Sequence, residues 1–142
     1  MANITSLSTM ARQTTLNAYV PFTYSDLVGA RSGDTIELFN IPKDAIITGV
    51  TLEVTEAFVN GAAADLTISV EDTQSSAVTY ISASDADAAA ATFAATNTPV
   101  AYTATSTMTA TLGGTTAGDY TAGAAYVIVS YLQKNRSNEV HE

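Results

Sequence analysis

Four carboxylates are the first candidates for chemistry in this chain. Glu71-Asp72 and Asp85-x-Asp87, if brought together, would offer hard oxygen ligands to a calcium ion. Their spacing is not that of an EF-hand loop, and Asp85 and Asp87 sit among alanines. The plainer reading is a solvated turn plus acids that favour a helix start. Glu53 and Glu56 fall on opposite parities of one alternating run, which argues against a shared acid site and leaves Glu53 a solvent-facing strand residue. Nucleophilic catalysis lacks its parts: the only histidine is His141, there is no cysteine, and Gly-x-Ser-x-Gly is absent. Gly113-Gly114 and Gly118 are too sparse to cradle a phosphate. The Ser/Thr ladder from Thr103 to Thr111 reads as an ordinary strand exterior, with a receptor-binding or ice-like face as the alternative. No catalytic residue, metal ligand or cofactor is assigned.

The aromatic residues point to contact rather than catalysis. Tyr19, Phe22 and Tyr24 lie close together in sequence, and Tyr126 and Tyr131 lie on an apolar run near the end. With no tryptophan, a sugar-stacking platform lacks support. Tyr and Phe are enriched at interface cores, so Tyr19, Phe22 and Tyr24 are candidate intersubunit residues, with core packing as the competing reading.

The elements that must position these groups are strands. Between Thr35 and Val70 apolar and polar residues alternate with a period of two. Ile46, Val50, Leu52, Val54 and Phe58 share one parity, while Thr51, Glu53 and Thr55 take the other. Such alternation describes half-buried antiparallel strands with one dry face. Residues Met1 to Leu16, Ser/Thr-rich with Ile4, Leu7 and Met10 scattered among them, read as an extended arm. Tyr19 to Tyr24 reads as a first strand that Pro21 confines to an edge or a strand start. Thr35 to Ile41 is a second strand. Ala45 to Phe58 is a long third, bent or bulged near Gly49. Asn60-Gly61 is a turn dipeptide, and Asp65 to Asp72 is expected to pair back. Val78 to Ile81 is a shorter strand. Ser84 to Phe93 is either a short helix capped by Ser82 or Ser84, or a plain loop. Pro99 to Ala104 and Thr107 to Leu112 follow as strands. Ala124 to Leu132, the most continuous apolar run, is expected to be a central strand covered on both faces. Lys134 to Glu142 is a polar tail. About eight short strands with turn signals between them specify an all-β fold: one antiparallel β-sandwich over residues 17–133, jelly-roll-like, with an arm before it and a tail after it.

Composition narrows the function classes. The chain has 142 residues, 46% of them hydrophobic, enough for one domain with a proper core. Roughly a third is Ala plus Thr, a bias that suits a slim β architecture. The net charge is -9, with five basic residues and none from Asp44 to Gln133. A phosphate backbone needs clustered cations, so neither nucleic acid nor an anionic membrane is an expected partner. The same mutual repulsion keeps a protein soluble when displayed in many copies. Without cysteine, stability must come from the core or from partners. Met1 to Ile4 lack the pattern of a signal peptide, and Ala124 to Leu132 is too short to span a membrane. The expectation is therefore synthesis in a cytoplasm.

Four segments carry a family cadence: Ser32 to Pro42, Ala45 to Phe58, Asp65 to Val70 and Thr121 to Tyr131. Together they resemble small structural proteins of tailed bacteriophages, in particular capsid decoration (cement) proteins. The resemblance implies a homotrimeric sandwich subunit on the outer capsid surface of the virion, bridging neighbouring copies of the major capsid protein. On this reading residues 2–15 order on the capsid, Ile4 and Leu7 contribute apolar contacts, and Arg12 meets an acidic partner. A tail, neck or head-fibre component and a carbohydrate- or receptor-binding module are the alternative functions.

Overall fold

A computed structural model describes residues 14–59, 66–73, 78–87, 91–114 and 120–134. The alternation around Leu52 becomes the longest strand, β3 (Ala45–Val59), in which Val50, Leu52, Val54 and Phe58 are buried and Thr55 and Glu56 face outward. Its register on the neighbouring strand shifts between Ile47 and Gly49, which places a bulge where Gly49 suggested one and turns Ile47, not Ile46, into the core. The other strands are β1 (Leu16–Thr23), β2 (Thr35–Ile41), β4 (Thr67–Asp72), β5 (Thr79–Asp85), β6 (Ala91–Ala94), β7 (Val100–Ala101), β8 (Ser106–Gly113) and β9 (Ala122–Gln133). All pairings are antiparallel.

The strands form two sheets ordered β1-β9-β3-β6 and β2-β8-β4-β5, with β7 also on β3. Because β6 and β7 lie end to end along β3, they share one strand position, and the pairs β1·β9, β2·β8, β3·β6 and β4·β5 nest inside one another. First pairs with last, second with next to last. That is jelly-roll connectivity, and the all-β sandwich expected from the sequence is the observed fold. The core lies between the sheets, filled by β3 and β9 on one side and by Ile68, Val70, Met108 and Leu112 on the other.

Several local expectations are corrected. The first strand starts at Leu16 rather than Tyr19, and Tyr24 belongs to the 3-10 turn Tyr24–Leu27, where Asp26 accepts the Thr23 N–H at 2.8 Å. β1 has a single strand neighbour among the described residues, so Pro21 does sit on an edge. β4 does not pair back on β3, because β9 and β6/β7 already occupy both of its edges; β4 joins β8 and β5 instead. Ser84 to Phe93 holds no helix among its described residues. Ser84 pairs with Ile68 and Ala91 with Val54, so sheet contacts override the alanine preference. The strand expected from Pro99 to Ala104 shrinks to β7, followed by one further bond to β3 from the Tyr102 N–H to Ala45 O at 2.8 Å. β9 is central in its sheet but dry on one face only: Ala125, Val127 and Val129 are buried, while Tyr126 and Ile128 are half-covered. Asn60-Gly61 lies outside the described residues.

One glycine is dictated by packing. Gly123 has φ +139, and a Cβ there would stand 2.3 Å from Cδ1 of Phe58.

Candidate functional site

The acids that might have shared a cation are held apart. Thr67 pairs with Asp85 and Glu71 with Thr79, so the two carboxylate pairs sit at opposite ends of β4 and β5. Each has local partners. Asp85 Oδ1 accepts the Asp87 N–H at 2.9 Å, Asp87 Oδ1 accepts the Leu66 N–H at 3.0 Å, and Glu71 accepts the Thr111 hydroxyl. Among the described residues no three His, Cys, Asp or Glu side chains group to hold a metal. His141 lies outside the described residues.

Asp72 is the unexpected one. It is 3% exposed, and its carboxylate accepts the Tyr102 hydroxyl and the Val78 N–H, the latter at 3.0 Å. The Tyr102 proton points to Asp72, so the Tyr80 hydroxyl, 2.5 Å away, donates to the Tyr102 oxygen. Burial raises the Tyr80 phenol to about 12, and burial followed by the hydrogen bond to Asp72 raises Tyr102 further. Both phenols therefore stay protonated at neutral pH. Asp72, Tyr80 and Tyr102 are all buried, so the relay belongs to the core. It ties the end of β4 to the start of β5 and to the β7–β8 link. The sequence carried a signal for it: Asp72 shares the inward parity of Ile68 and Val70.

The candidate contact residues separate. Tyr19 and Phe22 lie on opposite faces of β1: Tyr19 is 62% exposed, whereas Phe22 is 4% exposed and stacks on Phe58 with ring centroids 6.1 Å apart. Phe22 is a core residue. Tyr24 stands on the turn, 39% exposed, and Val28 beyond it is the third large exposed apolar side chain among the described residues. Ile4, Leu7 and Arg12 lie outside the described residues.

On the outer face of the β1-β9-β3-β6 sheet Tyr19 stands opposite Ile128 and meets a Tyr126–Glu53 pair that sequence reasoning missed. Tyr126 lies diagonally across from it, ring centroids 5.1 Å apart at 43°. The Tyr126 hydroxyl donates to Glu53 Oε2, and its pKa is raised by that hydrogen bond first and by burial second. Glu53 is thus not a freely solvated acid. The polar groups around it are also bonded within the face: Ser130 Oγ to Asn17 Oδ1 at 2.8 Å, Thr48 Oγ1 to Ser130 O at 3.0 Å and Thr55 Oγ1 to Ala124 O at 3.1 Å. Hydroxyls bonded in this way can be covered without being stranded. The outer face of the other sheet is of Thr, Ser and Glu, with Glu37 and Glu71 flanking Thr109.

The jelly roll has counterparts of known structure. The chain is similar to one in the cyanophage Pam1 capsid asymmetric unit, with 25% identity, a TM-score of 0.62 and 84% of each chain covered. The fold is one that phage capsids use. A chain of the acid-stable capsid of Helicobacter pylori bacteriophage KHP30 matches with a TM-score of 0.57 at 16% identity, covering 84% of this chain and 87% of its own. A chain of the capsid of Ralstonia phage GP4 matches with a TM-score of 0.55 at 16% identity, covering 87% and 86%. No protein-family model matches the sequence, and no curated protein matches it.

Proposed function

We propose that this chain is a structural protein of a phage head, and within the head a decoration (cement) protein. It binds the outer surface of the assembled shell and stabilises it by bridging major capsid subunits. The observation that carries this reading is the match to the Pam1 capsid chain over 84% of both lengths, at the scale of a whole small subunit. The chemistry is compatible. The acid–phenol relay is buried in the core, while the exposed aromatics among the described residues stand on one strand and the turn after it. A net charge of -9 keeps unbound copies apart and soluble before they reach the shell.

The energetic logic is mass action. A protein that binds the assembled shell and not its free subunits stabilises the shell by its own binding free energy. Three copies joined around a symmetry axis would bind together, so weak single contacts suffice. In this proposal Tyr19 and Tyr24 meet the capsid or the neighbouring copy, Ile4, Leu7 and Arg12 of the arm add to the contact, and the homotrimer forms on the outer surface of heads assembled in the host cytoplasm.

The test is addition to heads stripped of this protein. Uptake to saturation with a raised rupture temperature supports the reading. Heads equally robust with and without it, or binding confined to tails, would overturn it. Tight, specific binding on a glycan array would favour a receptor-binding module.

A further inference from the structure

We propose that Tyr19, Tyr126 and Glu53 form an anchor for an arginine side chain of the capsid partner, which makes the outer face of the β1-β9-β3-β6 sheet the docking face. This rests on the capsid reading above. A guanidinium is planar, always charged and able both to stack on an aromatic ring and to pair with a carboxylate. The three residues supply both halves of that recognition. Tyr19 exposes 62% of its surface beside the tilted Tyr126 ring. Glu53 is held by the Tyr126 hydroxyl through Oε2, and Oε1 remains to accept an N–H. Aromatic and acid are thus fixed relative to each other before a partner arrives, which lowers the ordering cost of binding.

Charge complementarity decides the occupant. No strand of this sheet carries Lys or Arg, while β3 contributes Glu53 and Glu56. Among the described residues Glu53 has no cationic partner. A second copy would set like charges against each other across the face, so a basic partner surface fits and a copy of this chain does not. Arginine suits the site better than lysine, because a compact ammonium cannot stack and pair at once.

The probe is a short acetylated Gly-Arg-Gly amide titrated into the full chain and followed by NMR, with Gly-Lys-Gly as comparison. The expected result is weak binding whose shift changes centre on Tyr19, Tyr126 and Glu53, with the Arg peptide favoured. Tyr19→Ser and Glu53→Gln should each weaken it by about threefold, as exposed cation–π and ion-pair contacts do. On stripped heads, where the contact is buried, the same variants should lose about tenfold or more in affinity. Equal response to both peptides, or shifts spread over all the acids, would overturn the anchor. So would a Tyr126 signal that moves on Arg12→Ala without peptide, which would give the site to the chain's own arm. Wild-type protein that binds heads while both variants bind as well removes the anchor and leaves the capsid reading standing. Wild-type protein that ignores heads removes the capsid reading itself.

Discussion

Replacing Tyr102 by Phe deletes one oxygen from the middle of the buried relay. Asp72 loses a hydrogen bond from a phenol, and the Tyr80 hydroxyl, in a residue 4% exposed, loses its acceptor. A hydrogen bond to a charged group is worth about 1.5–3 kcal/mol, and a stranded buried donor adds to the loss. The Val78 N–H still serves Asp72, so the total stays at about 3 kcal/mol. For a chain of this size that lowers Tm by about 6–12 °C. Urea unfolding of both proteins at pH 7, followed by far-UV circular dichroism, measures the difference directly, and a cycle with Asp72→Asn isolates the pair. A coupling above about 1 kcal/mol is expected for groups in one network. A Tyr102→Phe variant within about 0.5 kcal/mol of the parent, the range of ordinary surface changes, would refute the claim that this relay holds the end of the sandwich together.

Other outcomes follow from the same structure. The Tyr80 phenol is raised from 10.0 to about 12, so between those values an unfolded tyrosine ionises while the folded one stays protonated. Stability is then full below pH 10 and falls above it by about 1.4 kcal/mol per pH unit for each such tyrosine; a flat melting temperature up to pH 12 would contradict this. Phe22→Ala should cost about 3–5 kcal/mol in denaturant unfolding, and Tyr19→Ala under about 1 kcal/mol, which separates the core aromatic from the surface one. Gly123→Ala forces a Cβ to 2.3 Å from Phe58, whereas at Gly49 the nearest atom is 3.8 Å away. The first variant should lose about 3 kcal/mol or more, or fail to accumulate as soluble protein, and the second should stay within about 1 kcal/mol of the parent.

The fold was legible where one rule governs a whole element. Alternation around Leu52 named the face of β3, Gly49 marked its bulge, and Pro21 placed β1 on an edge. Local rules failed where a distant strand decides the outcome. Ser84 to Phe93 reads as a short helix or a loop until β4 and β3 claim its ends, and β4 reads as a hairpin partner until β9 and β6 occupy both edges of β3. The proposed contact site was half legible. Tyr19 was visible as an interface candidate, but Tyr126 and Glu53 join it only through a register between strands far apart in the chain, Glu53 opposite Tyr126 and Tyr126 opposite Pro21. Phe22, adjacent in sequence to the same cluster, goes inward because strand parity splits it from Tyr19.

The most direct measurement is a cryo-electron microscopy reconstruction of virions carrying this chain. The expected result is jelly-roll density on the outside of the shell, clustered about its symmetry axes, with the β1-β9-β3-β6 sheet turned toward the major capsid protein. Density confined to the tail, to the inner wall of the head, or absent from the particle would contradict it.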